Sequence, residues 1–133
     1  MGDPEVDPEP EVVPEPEPVA YVIDSILTSI KKLLGIEEDY TQFDSDIVIF
    51  INSAFVNLKQ LGVGSTSGFN ITGPDETWSD FLSTGIDVFA VKTFIYMKVR
   101  LAFDPPQNSY LIEAINLQLR EAEWRLTNPY VEV

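Results

Sequence analysis

The groups able to do chemistry in this 133-residue chain are carboxylates, hydroxyls, amides and amines, because it contains no histidine and no cysteine. Imidazole acid–base catalysis, thiolate nucleophiles, thiolate metal sites and disulfides are therefore outside its repertoire. Two acidic clusters are dense enough to consider, Glu37-Glu38-Asp39 and Asp44-Ser45-Asp46. Either could hold a divalent cation weakly, but neither follows the spacing of a calcium loop. They read better as helix caps and solvated surface. No serine sits in a G-x-S-x-G setting, and Gly62-Val63-Gly64 and Gly68 match no phosphate-binding fingerprint. No catalytic, metal or cofactor residue is assigned, and the expectation is a protein that is not an enzyme.

Charge narrows the partners. There are 22 acidic against 8 basic residues, a formal net charge of −14. Affinity for nucleic acid comes from Lys and Arg releasing counterions, so the bulk surface is a poor ligand for phosphate. It suits a basic protein partner, or a channel through which DNA slides without sticking. Half of the net charge lies in residues 1–18, MGDPEVDPEPEVVPEPEP, a Pro/acid segment of low complexity that carries no basic residue. Residues 1–21 are read as an extended acidic arm, whose few valines cannot offset the cost of ordering it. The N-terminus shows no basic region followed by an apolar run, so no secretory leader is expected.

The elements are organised around Val88–Pro106, VFAVKTFIYMKVRLAFDPP. At about 100° per residue its apolar side chains spread over nearly the whole circumference. Such a helix belongs in the middle of a bundle, with Lys92, Lys98 and Arg100 burying their stems and letting the charges reach water. It is too short and too charged to span a bilayer. Asp104-Pro105-Pro106 ends it.

Before it, Asp24 or Ser25 caps a helix carrying Ile26, Leu27, Ile30, Leu33 and Leu34, closed by Gly35, with Lys31 and Lys32 favoured by the dipole in its last turn. Asp44 is the expected N-cap of a second helix, whose core face is Ile47, Phe50, Ile51, Ala54, Leu58 and Leu61 and which stops at Gly62. Val48 and Phe55 widen that arc and predict a second contact.

Residues 62–86 form a long insertion, either a loop or a short β-hairpin, in which Phe69–Thr72 is the candidate strand. Trp78, Phe81 and Leu82 are expected to close back onto the bundle. A last helix begins at Asn108 or Ser109, with a core face of Leu111, Ile112, Ile115, Leu119, Ala122 and Leu126. A second apolar group, Tyr110, Ala114, Leu117 and Trp124, lies well away from it. Two neighbours are implied, in the same subunit's core or in another subunit. Asn128-Pro129 ends that helix and leaves residues 129–133 as a tail. The expected class is all-α: a small bundle of four main helices around a central apolar one, spanning residues 22–128, with extended arms at both ends.

Several runs then carry a resemblance. They are Ile23–Ile36 (IDSILTSIKKLLGI), Phe43–Ile47 followed by Ile51-Asn52-Ser53, Leu58–Gly64, Thr77–Leu82, Val91–Arg100, Phe103–Pro106 and Glu121–Leu126. In this order and spacing the chain resembles head–tail connector (adaptor) proteins of long-tailed bacteriophages and prophages, from residue 22 to about 128. The Pro/acid segment lies outside the pattern. The resemblance implies a structural virion protein, assembled in the host cytoplasm, that forms a homo-oligomeric ring under the portal, dodecameric if it matches the portal. The ring would extend the DNA channel, without sequence-specific binding and without a membrane, and offer a surface to a neck or tail-completion protein. Carried onto this chain, it makes Tyr110, Leu117, Trp124, Pro129 and Tyr130 candidate portal or inter-subunit contacts, and Gly68, Phe69, Asn70 and Ile71 candidate loop contacts. The rival reading from composition is an acidic inhibitor that mimics DNA and occupies a basic cleft.

Overall fold

The computed structural model describes residues 24–81 and 88–128. The expected acidic arm (1–21), Leu82, Pro129 and Tyr130 lie outside the described residues. Five helices follow in order: α1 Ile26–Leu33, α2 Asp44–Gln60, α3 Trp78–Phe81, α4 Val88–Phe103 and α5 Ser109–Thr127. No strand occurs among the described residues, and one isolated antiparallel bridge joins Ser25 to Thr77. The all-α expectation holds.

α4 is central, packing against α1, α2 and α5. Its Val91, Phe94, Ile95, Met97 and Val99 are buried. Lys92 and Lys98 share the helix with them by laying their ammonium groups over the rings of Trp78 and Phe94, at 5.7 and 5.8 Å. A cation near a ring face gains from the ring quadrupole while its end stays near water. At the C-terminus Arg100 Nε donates to the Asp104 carbonyl at 2.9 Å, satisfying a group that the following prolines cannot. Cover is incomplete at the start of α4, where Phe89 is 72% exposed.

α1 is capped by Ser25, whose Oγ accepts from the Thr28 amide at 3.2 Å. It ends before Gly35, whose φ of +83° is the left-handed geometry expected there. α2 departs from expectation at its start. Phe43 occupies the N-cap position without a side-chain cap, and Asp44 is the first helical residue. The carboxylate instead meets Lys31 Nζ at 2.8 Å. Lys31 is only 2% exposed, and its ammonium also donates to the carbonyls of Glu38 and Tyr40 at 3.0 and 2.7 Å. A buried ammonium requires an anion far more than a solvent-accessible helix end requires a cap. Lys31 sits in the last turn of α1, where the dipole favours a cation, and in addition forms a buried tether between α1 and α2.

Of the two forms considered for the insertion, the loop is the one found between α2 and α3. In place of strand pairing at Phe69–Thr72, the Asn52 side chain brackets Ile71, accepting from its amide at 2.7 Å and donating to its carbonyl at 2.9 Å. A side-chain amide reproduces the donor–acceptor pair of a neighbouring strand, so the backbone is satisfied without one. Phe55, Phe69 and Phe81 form a triangle of rings with centroids 4.9–5.3 Å apart. That triangle is the second contact predicted from Phe55. Thr77 and Asp80 cap α3 reciprocally, each accepting the other's amide through its side chain at 3.1 and 3.0 Å. The Trp78 amide and the Ser79 hydroxyl both donate to Asp24, and Ser25 Oγ donates to the Pro74 carbonyl. The far end of the loop is therefore fastened to the start of α1.

Candidate functional site

α5 positions the candidate surface. Asn108 starts it, its side chain accepting from the Tyr110 amide at 2.7 Å. Leu119, Ala122 and Leu126 are buried against the bundle, and Ile112 and Ile115 are half-buried. Leu111, expected on this face, is 52% exposed, at the edge of the core arc. About 180° around the helix from the core arc runs a stripe of Tyr110, Leu117 and Trp124, one residue every seven positions. Their exposures are 82%, 61% and 48%. Ala114 lies beside the stripe and is exposed. No described part of this chain covers it, and among the described residues this second apolar group lies outside the core cluster. The stripe borders a shallow depression with Glu113, Asn116 and Arg120. The helix end beneath it is held by Asn128 Nδ2, which donates to the Trp124 carbonyl at 2.9 Å.

The loop residues singled out from the sequence divide. Asn70 is exposed, while Gly68 and Phe69 are half-buried. Gly68 adopts a φ of +88°, with the Lys59 stem against it, and Phe69 faces Phe55 and Phe81. Ile71 is 2% exposed and its side chain lies in the core. Asn70 is the one of the four whose side chain is open to solvent.

Other exposed apolar positions escaped the sequence reading. On α2, Ile49 and Val56 are 62% and 54% exposed, seven residues apart and opposite the buried Ile47, Ile51, Ala54 and Leu58. Their seven-residue spacing, about 180° from the core arc, is the sign of them in the sequence. At one end of the bundle Tyr40, Phe43, Phe103 and Phe50 form a run of aromatic contacts, with neighbouring centroids 5.2–6.5 Å apart. Among the described residues no group of His, Cys, Asp or Glu side chains is arranged to hold a metal ion. No helix among them is long and apolar enough to cross a membrane.

A small helical bundle with an apolar stripe that no described residue covers agrees with the kind of protein found by comparison. The profile of the family described as phage connector protein matches residues 26–132, most of the chain and all five helices. The chain belongs to the phage connector protein family. This connector is a structural component of the virion, and the head–tail connector resemblance seen in its sequence is of the right family. It matches no curated protein and no solved structure.

Proposed function

We propose that this connector forms a homo-oligomeric ring beneath the portal, extends the DNA channel, and joins the capsid vertex to a neck or tail-completion protein. The observation that carries this reading is the α5 stripe: three large apolar side chains on one line, uncovered, on a protein whose family is a phage connector. An exposed stripe of this kind calls for a protein surface to cover it, and aromatic residues dominate such contacts. Tyr110, Leu117 and Trp124, with Pro129 and Tyr130 following in the chain, make the portal or inter-subunit contact. Asn70 and its loop face a neighbour or the channel. The net charge of −14 lets DNA pass without being held, since a negative lumen repels phosphate.

The test is the mass of the purified chain in solution, alone and mixed with the portal protein of the same phage. A ring on the portal that is lost in Trp124→Ala is the expected result. A small species that ignores the portal and instead binds a basic DNA-processing enzyme would replace this reading with the DNA-mimic one.

A further inference from the structure

Two apolar stripes on this connector are left uncovered by the described residues, and they lie on different helices. One is Tyr110, Leu117 and Trp124 on α5, and the other is Ile49 and Val56 on α2. Each runs opposite the core face of its own helix. Both helices pack on α4, while α2 and α5 share little or no direct packing. The two stripes therefore look away from each other across the bundle. A surface that meets a different surface of the next copy makes a head-to-tail contact, and such contacts propagate until they close.

We infer that the occupant of the α5 stripe is a second copy of this chain, seated with the α2 stripe of that copy antiparallel against it. The inference rests on the ring reading above and specifies the contact within it. Spacing and charge both support it. Each stripe repeats every seven residues, about 10.5 Å along a helix, so Val56 opposes Leu117 while Ile49 opposes Trp124. In this register the flanking charges also match. Lys59, one turn beyond Val56, falls beside Glu113, one turn before Leu117. On the other flank Asp46, one turn before Ile49, comes within reach of Arg125. All four side chains are exposed. Lys59, Glu113 and Asp46 have no ion-pair partner among the described residues, and Arg125 makes only a 3.7 Å pair with Glu121 on its own helix. The parallel arrangement that pairs Ile49 with Leu117 and Val56 with Trp124 would instead set Lys59 near Arg125 and Asp46 near Glu113. Opposite charges across an interface fix register and suppress wrong pairings more than they add affinity.

The chain has no cysteine, so introduced cysteines report the contact without background. The experiment mixes full-length Val56→Cys with full-length Leu117→Cys, with and without the portal protein, under mild oxidation. Heterodimers in the mixture, and a ladder of higher species from the Val56→Cys/Leu117→Cys double variant, are expected. Lys59→Glu should lower the yield and Lys59→Glu/Glu113→Lys should restore it, an outcome that a change in folding would not give. Disulfide dimers of Leu117→Cys alone would show α5 pairing with itself and overturn the inference. A ring by mass without the Val56–Leu117 cross-link would overturn it too, while leaving the ring reading standing. Absence of any assembly on the portal would overturn both.

Discussion

The indole Nε1 of Trp78 donates a hydrogen bond to the Ser29 hydroxyl at 2.9 Å, across 49 residues of chain and inside the core. The hydroxyl in turn donates to the Ile26 carbonyl at 3.1 Å. Both residues are at most 5% exposed. One buried donor and one buried hydroxyl thus satisfy each other and clamp α3 onto α1. Ser29→Ala leaves the indole N–H unpaired and should cost about 1–3 kcal/mol in urea unfolding. The pair is coupled, so Trp78→Phe/Ser29→Ala should cost less than the two single losses added together.

Lys31 and Asp44 behave asymmetrically. The Lys31 side chain is 3% accessible and the Asp44 side chain 26%. Removing the anion with Asp44→Ala strands a buried ammonium and should cost about 3–5 kcal/mol. Lys31→Met fills the same space with an apolar chain and leaves a carboxylate that is partly accessible, although its Oδ1 is buried, so it should cost less than stranding the fully buried ammonium. Denaturant melts of the two variants at neutral pH give the comparison, and an equal or reversed order contradicts it.

Gly64 takes a φ of +90°, and a Cβ there would come within 2.9 Å of the Phe81 ring. Gly64→Ala meets both a left-handed backbone and the aromatic triangle, and should lose about 1–3 kcal/mol. Gly35→Ala has the same backbone geometry, with φ +83° and open space around it, and should lose less. Thermal melts of the two variants separate the ring contact from the backbone contribution.

The two faces of α5 should separate stability from assembly. Leu126→Ala removes a buried side chain and should cost about 2–5 kcal/mol. Leu117→Ala and Trp124→Ala alter exposed positions and should stay within about 0.5 kcal/mol of the parent, yet abolish ring formation. Melting curves measured beside portal binding test this, and a Trp124→Ala variant that binds normally removes the stripe from the interface.

Glu76 supplies a pH dependence. Hydrogen bonds from the Thr72 backbone and hydroxyl hold its carboxyl below the usual range. A depressed folded-state pKa means that the charged form is favoured by folding. Its contribution is complete above the unfolded pKa and is lost as pH falls through the folded one. Glu76→Gln should therefore melt below the parent at neutral pH, with the gap closing as pH falls into the acid range. A gap that stays constant with pH would mean the interaction is not one of charge.

The class, the central helix and most helix ends were legible in the order of the amino acids. Periodicity reports burial directly, and Ser25, Gly35, Gly62, Asn108 and Asp104-Pro105-Pro106 act through local backbone geometry that needs no distant partner. It also separated the Tyr110/Leu117/Trp124 stripe from the core arc, since both follow from helical spacing alone. Which side of each arc is covered came from the packing of the helices. That packing buried Lys31 against Asp44, moved the α2 cap to Phe43, exposed Leu111, and chose the loop over the hairpin at Phe69–Thr72, where Asn52 brackets Ile71. Each of these depends on a partner distant in sequence, or on the absence of one, and a buried charge or an unpaired amide is satisfied by whatever the fold brings near it. The uncovered α2 and α5 stripes belong with them: that α4 holds those helices with their apolar faces turned outward is a fact of packing, which no single helix encodes.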